Sequence, residues 1–414
     1  MNILVLIVLI SCLSWLYLFF IHGRINLVKD PFFWSNKFNF DNINVDKSKT
    51  NNLRKNIGNL SIIIPARNEE KSIGIVISSV IKQTYKNFNI ILINDHSSDG
   101  TVEEMKKVTK KYKFNSYEII NSKPLPNGWT GKTWALNQGI ITALKNKKNK
   151  YLMFLDADII IKNDVVENLY VQINKENLQM VSIMAKLHCS TFWEKLLIPS
   201  FIFFFQKLFP FNKVNNKNSS IAAGAGGCII CKSSVFRENK IMDKIKSYII
   251  DDCNLAKQIK KIGTIWLGIS SKVLSVRVYS DLEEIWRMVS RCAFEQLNNS
   301  YIYLLVSSLG MLTIYIICPM ILICDLLGFK NFEEYLYFFI FIPIFLMTIS
   351  YYPTIKFYKL NFLYTLTLPI SAIFYLLMTI SSAYNYAFKD GNNWKNRTYK
   401  NFIKDEKKKR TTNK

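Results

Sequence analysis

Short apolar runs alternate with polar, helix-forming stretches through the central part of this chain. Residues 60–64, 90–93 and 152–155 are β-branched or otherwise apolar runs of the kind that form buried strands. Polar helix openings follow the first two runs, and we predict that the first of these helices continues to about Gln83. The order strand, helix, strand, helix, strand is typical of parallel βαβ units, whose strand ends meet at one edge of a sheet. The pattern therefore predicts an α/β fold.

Longer apolar stretches indicate a second, membrane-embedded α-helical module. We predict membrane segments at residues 3–21, 301–327, 335–352 and 362–384. Arg24 and Lys29 follow the first segment, and no small-residue cleavage site is evident. We therefore expect an uncleaved anchor that is followed by a cytoplasmic domain.

The basic C-terminal tail limits how many of these segments cross the membrane. Residues 389–414 hold ten Lys or Arg against three Asp or Glu, so the positive-inside rule places them in the cytoplasm. Three crossings after a cytoplasmic domain would leave this tail outside. We therefore expect one segment to be re-entrant or interfacial, and we assign that role to residues 335–352, a short run that contains Pro343.

These features divide the chain into five parts. They are an anchor (1–24), a linker (25–57), an α/β domain (58–300), membrane helices (301–388) and a basic cytoplasmic tail (389–414). Within the α/β domain, residues 196–211 are apolar, include Pro199 and are too short for a comfortable crossing. An interfacial helix and an ordinary core helix both remain open for this stretch.

Composition excludes some classes of protein. Half of the 414 residues are apolar and 14% are aromatic, which is too hydrophobic for a disordered chain. The net charge of +24 comes from lysines scattered through loops, and no nucleic-acid-binding module is visible. A basic face against an anionic leaflet explains the charge better.

Three carboxylates are placed where two of the predicted strands end. Asp156 and Asp158 directly follow one buried run, and Asp95 follows another. Because open α/β sheets bind ligands at the carboxyl ends of their strands, we expect these side chains to face one crevice. Paired carboxylates suit Mg²⁺ or Mn²⁺, although an isolated Asp-x-Asp is more often a solvated turn.

Five further motifs carry a resemblance to a known family. They are Leu-Ser-Ile-Ile-Ile-Pro-Ala-Arg-Asn-Glu-Glu at 60–70, Asn-Gly-Trp-Thr-Gly-Lys-Thr-Trp-Ala at 127–135, Ala-Gly-Ala-Gly-Gly-Cys at 223–228, Ile-Asp-Asp-Cys-Asn-Leu-Ala at 250–256 and Glu-Ile-Trp-Arg-Met-Val-Ser-Arg-Cys-Ala-Phe-Glu-Gln-Leu at 284–297. With the carboxylates, these segments resemble family 2 glycosyltransferases, which have the Rossmann-like GT-A fold. The resemblance is greatest to the hopene-associated HpnB group, and carotenoid glycosyltransferases of the diaponeurosporenoate type are more distant. It covers residues 58–300 and extends to the membrane segments and to residues 394–399.

The resemblance implies a nucleotide-sugar donor, most simply a UDP-sugar, and a divalent metal. It places Asp158 on the metal with Asp156, and Asp95 on the nucleoside side. Pro65, Ala66 and Glu69 correspond to positions that hold the nucleoside, although residues 67–70 could equally be a solvated helix start. These assignments are expectations for the structure to test.

The resemblance also implies the groups that act on the acceptor and on the leaving diphosphate. Asp252, paired with Asp251, corresponds to the catalytic base, whereas without the family helix N-capping would explain both carboxylates. Lys132, Arg287 and Arg291 are expected to bind the diphosphate or support catalysis, although Lys132 could be a surface lysine.

The last motif departs from the common family pattern. Arg287 replaces the usual glutamine and Cys292 the usual tryptophan of the Gln-x-x-Arg-Trp signature. These departures disfavour processive polymer synthesis.

The sequence therefore predicts a membrane-anchored, inverting, metal-dependent glycosyltransferase of the bacterial inner membrane. It would move one sugar from a nucleotide donor to an isoprenoid-like or hopanoid-like lipid on the cytoplasmic leaflet. A polyprenyl phosphate acceptor is the alternative within this class. An inactive membrane protein that binds lipid or a partner is the alternative outside it.

Overall fold

The computed structural model describes residues 3–22, 38–43, 59–329 and 334–388, together with the backbone of 392–394 and 397–399. The chain forms two compact units. The sheet unit comprises Asn36–His188, Lys213–Arg277 and Asn401–Lys414, and the helical unit comprises Met1–Ser35, Cys189–Asn212 and Val278–Lys400. Residues 189–212 and 278–300, which the sequence assigned to the α/β domain, therefore group with the membrane helices.

The strands, in chain order, are β1 Asn59–Ala66, β2 Phe88–Asn94, β3 Tyr117–Asn121, β4 Asn149–Leu155, β5 Ile159–Ile161, β6 Met180–Lys186, β7 Cys228–Lys232, β8 Ile265–Ser275, β9 Asn392–Trp394 and β10 Arg397–Tyr399. The first eight form one sheet in the order β3-β2-β1-β4-β7-β6-β8-β5. Strands β2, β1 and β4 are parallel, as predicted, and β3, which was not predicted, extends them in parallel. Strand β7 is antiparallel to both of its neighbours. Strands β6 and β8 are parallel, and β5 closes the sheet antiparallel to β8.

The α-helices, in chain order, are α1 Ile3–Phe20, α2 Glu70–Ile81, α3 Thr101–Lys111, α4 Gly131–Lys145, α5 Val165–Lys175, α6 Phe192–Leu208, α7 Phe211–Asn215, α8 Ser234–Asn239, α9 Ile241–Ile245, α10 Asp251–Lys260, α11 Leu282–Ser290, α12 Ala293–Gln296, α13 Tyr301–Met311, α14 Ile317–Leu326, α15 Glu334–Phe357 and α16 Leu368–Phe388. A π-helical turn, Leu312–Ile316, makes α13 and α14 one continuous rod, and a 3₁₀ turn, Phe362–Thr367, leads into α16.

The core of the sheet unit explains why its central strands are almost wholly apolar. Ile62, Ile63 and Ile64 of β1 are fully buried, and apolar side chains of β2, β4 and helices α2 and α5 pack in the same unit. A strand that is covered on both faces has no polar alternation, because neither face meets water. This core fixes the carboxyl ends of β1, β2 and β4 beside one another, which positions the residues of the candidate site.

Four helices of the helical unit are long and apolar enough to cross a membrane: Ile3–Phe20, Tyr301–Leu326, Glu334–Phe357 and Phe362–Phe388. They coincide with the four predicted segments. Helix α15 runs without a break through Pro343 and is longer than the segment assigned as re-entrant.

Helix α6 settles part of the ambiguity over residues 196–211. Its apolar side chains pack in clusters with residues of the candidate membrane helices α1, α15 and α16, as well as with α11. Leu197 and Ile198 are fully buried. This apolar stretch is therefore a packed part of the helical unit.

Candidate active site

The two carboxylates of the Asp-x-Asp motif occupy the turn from β4 to β5. The backbone N–H of Asp156 donates to the carbonyl of Gly227 at 3.2 Å, and the carbonyl of Asp158 accepts from the N–H of Val276 at 2.9 Å. The turn is thus tied to the start of β7 and to the end of β8. Because both strands belong to the same sheet, the sequence motif is held on a rigid support.

Lys132 reaches this turn from the first turn of α4. Thr130 caps that helix by accepting a hydrogen bond from the N–H of Thr133. The Nζ atom of Lys132 lies 2.9 Å from Oδ1 of Asp156 and 3.5 Å from Oδ2 of Asp251. The sequence could not distinguish this lysine from a surface residue, and the structure places its ammonium between two carboxylates.

Asp252 lies in the same cluster and does not serve as the helix cap. The N-cap residue of α10 is Ile250, and Asp251 and Asp252 are the first two residues of the helix. Oδ2 of Asp252 accepts a hydrogen bond from the N–H of Gly226 at 2.7 Å, and Oδ1 accepts one from its neighbour Cys253 at 2.7 Å. The bond to Gly226 comes from outside the helix, so the carboxylate joins α10 to the glycine-rich loop before β7.

Burial changes the charge states of this cluster. Burial, together with the neighbouring Asp251, raises the pKa of Asp252 to about 6, against the opposing effect of Lys132 and the two backbone N–H groups. Burial likewise raises the pKa of Asp156 to about 6 although Lys132 is adjacent. For Lys132 itself, burial opposes the charge, but Asp156 and Asp251 outweigh it and the pKa is raised. The lysine is therefore a permanent cation beside two carboxylates, Asp156 and Asp252, whose pKa values are about 6.

Arg277 provides a second cation at the site. Its Nε donates to Oδ2 of Asp158 at 2.7 Å, and its Nη2 donates to Oε1 of Glu69 at 2.9 Å. The residue lies just beyond the end of β8. Arg277 thereby joins the Asp-x-Asp turn to the loop after β1.

The residues predicted to hold a nucleoside lie at the carboxyl ends of β1 and β2. Pro65 and Ala66 are the last residues of β1 and pair with Ile93 and Asn94 of β2. Asp95, 3% exposed, follows β2, and its backbone N–H donates to the carbonyl of Ala66 at 2.8 Å. Beside Arg277, Glu69 also accepts from the hydroxyl of Ser72 at 2.9 Å. These four residues share one edge of the sheet, as the βαβ pattern predicted.

The two remaining predicted residues belong to the helical unit. Arg287 projects from α11, with its side chain 68% exposed and 3.8 Å from Glu283. Arg291 follows the last turn of that helix, and its Nε is buried without a hydrogen-bond partner among the residues that the structure describes. Their roles in the site stay predictions.

The charges of the sheet-unit cluster fit a divalent cation shared with a bound diphosphate. Five carboxylates, from Glu69, Asp156, Asp158, Asp251 and Asp252, are accompanied by the cations of Lys132 and Arg277. Among the described residues no three His, Cys, Asp or Glu side chains gather into a complete metal cage. Mg²⁺ is commonly held by one or two carboxylates and completed by phosphate oxygens, so Asp156 and Asp158 suit a metal that arrives with its nucleotide.

Sequence reasoning missed two residues of this site. Arg277 stands in no motif, and the strand that precedes it, β8, was not predicted from the sequence. Gly226 was noted only within a glycine-rich motif. A Cβ on Gly226 would lie 3.2 Å from Oδ2 of Asp252 and 3.3 Å from Nζ of Lys132, so the absent side chain leaves room for both groups.

Comparison with known proteins agrees with this geometry. Residues 61–239 match the family model described as Glycosyl transferase family 2. The chain is 36% identical over 132 residues to a 4,4'-diaponeurosporenoate glycosyltransferase of Staphylococcus aureus strain N315, and 37% identical over 134 residues to that of strain USA300. Each match covers 32% of this chain and 32% of the relative, so the chain spans about a third of the length of these relatives.

A solved structure shares the fold over most of the chain. The mannosyltransferase PcManGT from Pyrobaculum calidifontis, solved in complex with GDP-Man and Mn²⁺, superimposes with a TM-score of 0.52 at 12% identity. The match covers 92% of this chain and 99% of that one. The chain therefore has the GT-A glycosyltransferase fold together with a set of long apolar helices.

Proposed function

We propose that this chain, whose residues 61–239 form a family 2 glycosyltransferase domain, is a membrane-bound enzyme that transfers one sugar from a nucleotide donor to a lipid acceptor. The observation that carries the proposal is the position of Asp252. This half-buried carboxylate is oriented by two backbone N–H groups and lies in one cluster with Lys132 and the Asp-x-Asp turn. A base and the groups that hold a leaving diphosphate are thus gathered in one place.

Asp252 is suited to be the general base. A pKa near 6 leaves the carboxylate ionised at neutral pH and makes it a stronger base than an ordinary aspartate. It takes the proton of the acceptor hydroxyl while that oxygen forms a bond to the anomeric carbon. The bond from the anomeric carbon to the diphosphate breaks, and its electron pair leaves on the nucleoside diphosphate. A single displacement of this kind inverts the anomeric centre.

Lys132 is suited to stabilise the leaving diphosphate. Its ammonium is fixed by Asp156 and Asp251, so no reorganisation is needed when negative charge develops nearby. A divalent metal held by Asp158 and Asp156 would supply further electrostatic stabilisation of that charge. Glu69 and Asp95, at the ends of β1 and β2, are suited to the ribose and base of the nucleotide.

The acceptor is inferred from two independent features. The relatives from Staphylococcus aureus are named for a carotenoid acceptor, which is a long isoprenoid. The four long apolar helices of this chain suit an enzyme whose acceptor is dissolved in a bilayer. We therefore propose an isoprenoid-like lipid acceptor, with the sheet unit on the cytoplasmic side of a bacterial inner membrane.

Release of nucleoside diphosphate tests the proposal. The purified protein in detergent, given native lipid extract, is screened with UDP-, GDP- and dTDP-sugars in Mn²⁺, Mg²⁺ or EDTA. We expect metal-dependent release from one donor, lost in Asp158→Ala and kept in the control Asp243→Asn, an exposed aspartate of α9. No release from any donor, with hopanoids and polyprenyl phosphates also supplied to a folded protein, would favour a binding protein over an enzyme.

A further inference from the structure

We propose that Arg277 is a built-in counter-cation of the metal-binding carboxylate, which it holds until a divalent cation binds at Asp158. Once displaced, the guanidinium binds the diphosphate of the nucleotide. The inference deepens the proposed function and rests on it for the nucleotide. It assigns a further substrate-binding residue to the site. It also implies that metal and nucleotide bind together.

The contacts of Arg277 place it on the group that the metal would need. Its Nε donates to Oδ2 of Asp158 at 2.7 Å, a charge-assisted bond at the short end of the normal range. A second N–H of the same guanidinium donates to Glu69 at 2.9 Å. The arginine therefore pairs with two carboxylates that come from the ends of two different strands.

Exposure indicates which partner moves. The side chain of Arg277 is 39% exposed, whereas those of Asp158 and Glu69 are 18% and 14% exposed. The arginine thus covers the carboxylates from the solvent side and can leave without opening the core. Its backbone is fixed, because its N–H donates to the hydroxyl of Ser275 at 3.2 Å. The exchange therefore needs only a change of side-chain rotamer.

Electrostatics makes the two cations compete. A divalent ion on Asp158 would lie within a few ångströms of the guanidinium, in a partly buried site where water screens their repulsion weakly. Arg277 therefore lowers the affinity of the bare site for metal. A diphosphate removes this penalty, since the planar fork of arginine matches phosphate oxygens and the released side chain gains a new anionic partner.

The competition can be measured as Mn²⁺ binding in the absence of nucleotide. Free Mn²⁺ is followed by electron paramagnetic resonance during titration of the full-length protein in detergent. We expect Arg277→Gln to bind Mn²⁺ roughly 5- to 20-fold more tightly than the wild type, because a charge-assisted hydrogen bond no longer competes. Lys272→Gln is the matched control: it removes a cation from β8, the strand that precedes Arg277, where Lys272 pairs with Asp164. This variant should leave Mn²⁺ affinity unchanged.

The second arm measures UDP and GDP binding by calorimetry at saturating Mn²⁺. We expect Arg277→Gln to weaken binding of the better nucleotide roughly tenfold, and Arg277→Lys to restore part of the loss because it keeps the charge without the fork. A purely structural role would weaken the metal and the nucleotide alike. The opposite signs of the two effects therefore identify the exchange.

Unchanged or weaker Mn²⁺ binding in both Arg277 variants, with melting temperatures like that of the wild type, would overturn the proposal. Unaltered nucleotide affinity in Arg277→Gln would overturn it equally. Neither arm needs turnover, so its result is separate from that of the transfer assay. An enzyme that transfers sugar but shows no Mn²⁺ effect contradicts only the exchange, and a protein that shows both effects but never transfers sugar contradicts only the proposed function.

Discussion

Asp252 shows how the fold changes the chemistry of an ordinary residue. Two backbone N–H groups hold its carboxylate, which would by itself lower the pKa, yet burial and Asp251 raise it to about 6. The bonds orient the group, while its environment makes it a better proton acceptor. An aspartate on the surface would be oriented poorly and would be too weak a base.

The raised pKa predicts how turnover depends on pH. The base must be ionised, so kcat at saturating donor should rise with pH through about 6 and level off above 7. The pKa of Asp156 is also raised to about 6, so this carboxylate becomes protonated below that pH. The affinity for nucleotide should therefore fall as the pH drops below about 6. Initial rates and nucleotide Kd values between pH 4.5 and 8 check both statements. A kcat that stayed constant down to pH 5 would exclude Asp252 as the base.

Gly226 should be intolerant of a side chain. In Gly226→Ala the new Cβ would press on Asp252 and Lys132, at 3.2 and 3.3 Å, and must displace one of them by a few tenths of an ångström. We expect kcat to fall roughly tenfold or more, since small misplacements of catalytic groups are costly. Gly310→Ala is the control, because no atom lies within 4 Å of its Cβ position. Equal activity of the two variants would contradict the tight fit described above.

The residues of the site differ in how far sequence could reveal them. Asp156 and Asp158 stand out because they follow a strongly apolar strand, at the edge where open α/β sheets bind ligands. Lys132 and Asp252 needed the family resemblance, since a lysine in a loop and an aspartate at a helix start are common. Arg277 could not be found at all: it reaches Asp158 only because β5 and β8 pair across more than a hundred residues of chain.

At the scale of elements, α6 owes its start to a buried carboxylate. Glu194 is fully buried and accepts hydrogen bonds from the N–H groups of Ser190, Thr191 and Tyr279 at 2.8, 3.0 and 2.8 Å. Thr191 completes a capping box with it. The glutamate thus joins α6 to the segment that precedes α11.

Glu194→Gln should therefore destabilise the helical unit. An amide offers one acceptor oxygen where the carboxylate offers two, so a buried N–H loses its partner at a cost of about 2 kcal/mol. Thermal unfolding in detergent should show a lower melting temperature, with Glu283→Gln as the control because its side chain is 77% exposed. Equal melting temperatures for the two variants would show that the capping contacts contribute little.

The packing of the long helices separates α15 from α16. Val8 near the start of α1 clusters with Leu336 and Ile340, whereas Trp15 clusters with Leu346 and Tyr351. Helix α15 therefore runs alongside α1 over the same apolar length, which favours a crossing for residues 335–352 in place of the re-entrant role we assigned from sequence. Apolar length alone could not decide this, because all four segments are long enough.

Helix α16 joins only one of these two clusters. Its Leu368, Ala372 and Leu376 group with Trp15 and Tyr351, whereas the cluster of Val8, Leu336 and Ile340 includes no α16 residue among those that the structure describes. Its Ser382 accepts a hydrogen bond from the N–H of Phe294 at 3.0 Å, and Phe294 also packs against Tyr301, where α13 begins. Its exposed apolar residues recur at helical spacing along one stripe: Ile370, Ile373, Leu377, Ile380 and Tyr384. This exposed apolar stripe fits contact with lipid. We therefore propose that α16 is the helix that does not cross.

For the whole molecule, this assignment predicts three crossings, by α1, α13–α14 and α15. The basic tail then shares the cytoplasmic side with the sheet unit, as the positive-inside rule requires. In a variant whose eight cysteines are replaced by serine, Phe329→Cys should react with a membrane-impermeant maleimide in intact spheroplasts. Thr411→Cys should react only after permeabilisation. Labelling of both from outside would mean that α16 crosses.

The division into two units was the least predictable feature. The βαβ order of β1, β2 and β4 followed from apolar runs that are strong and local. The grouping of residues 189–212 and 278–300 with the membrane helices did not, because their apolar faces are satisfied by elements far along the chain. The periodicity of apolar residues shows which face of a helix is apolar. It does not show which other element packs against that face.

Transfer of labelled sugar to lipid by the wild type and by Asp252→Asn is the most direct test of the central claim. Radiolabelled donor is incubated with protein and native lipid extract, organic-phase label is counted, and binding of the nucleoside diphosphate is measured in parallel. We predict label in the lipid phase with the wild type, a loss of roughly 10²- to 10⁴-fold in Asp252→Asn, and unchanged nucleotide affinity. Full transfer by Asp252→Asn would contradict the account, because the base would then lie elsewhere.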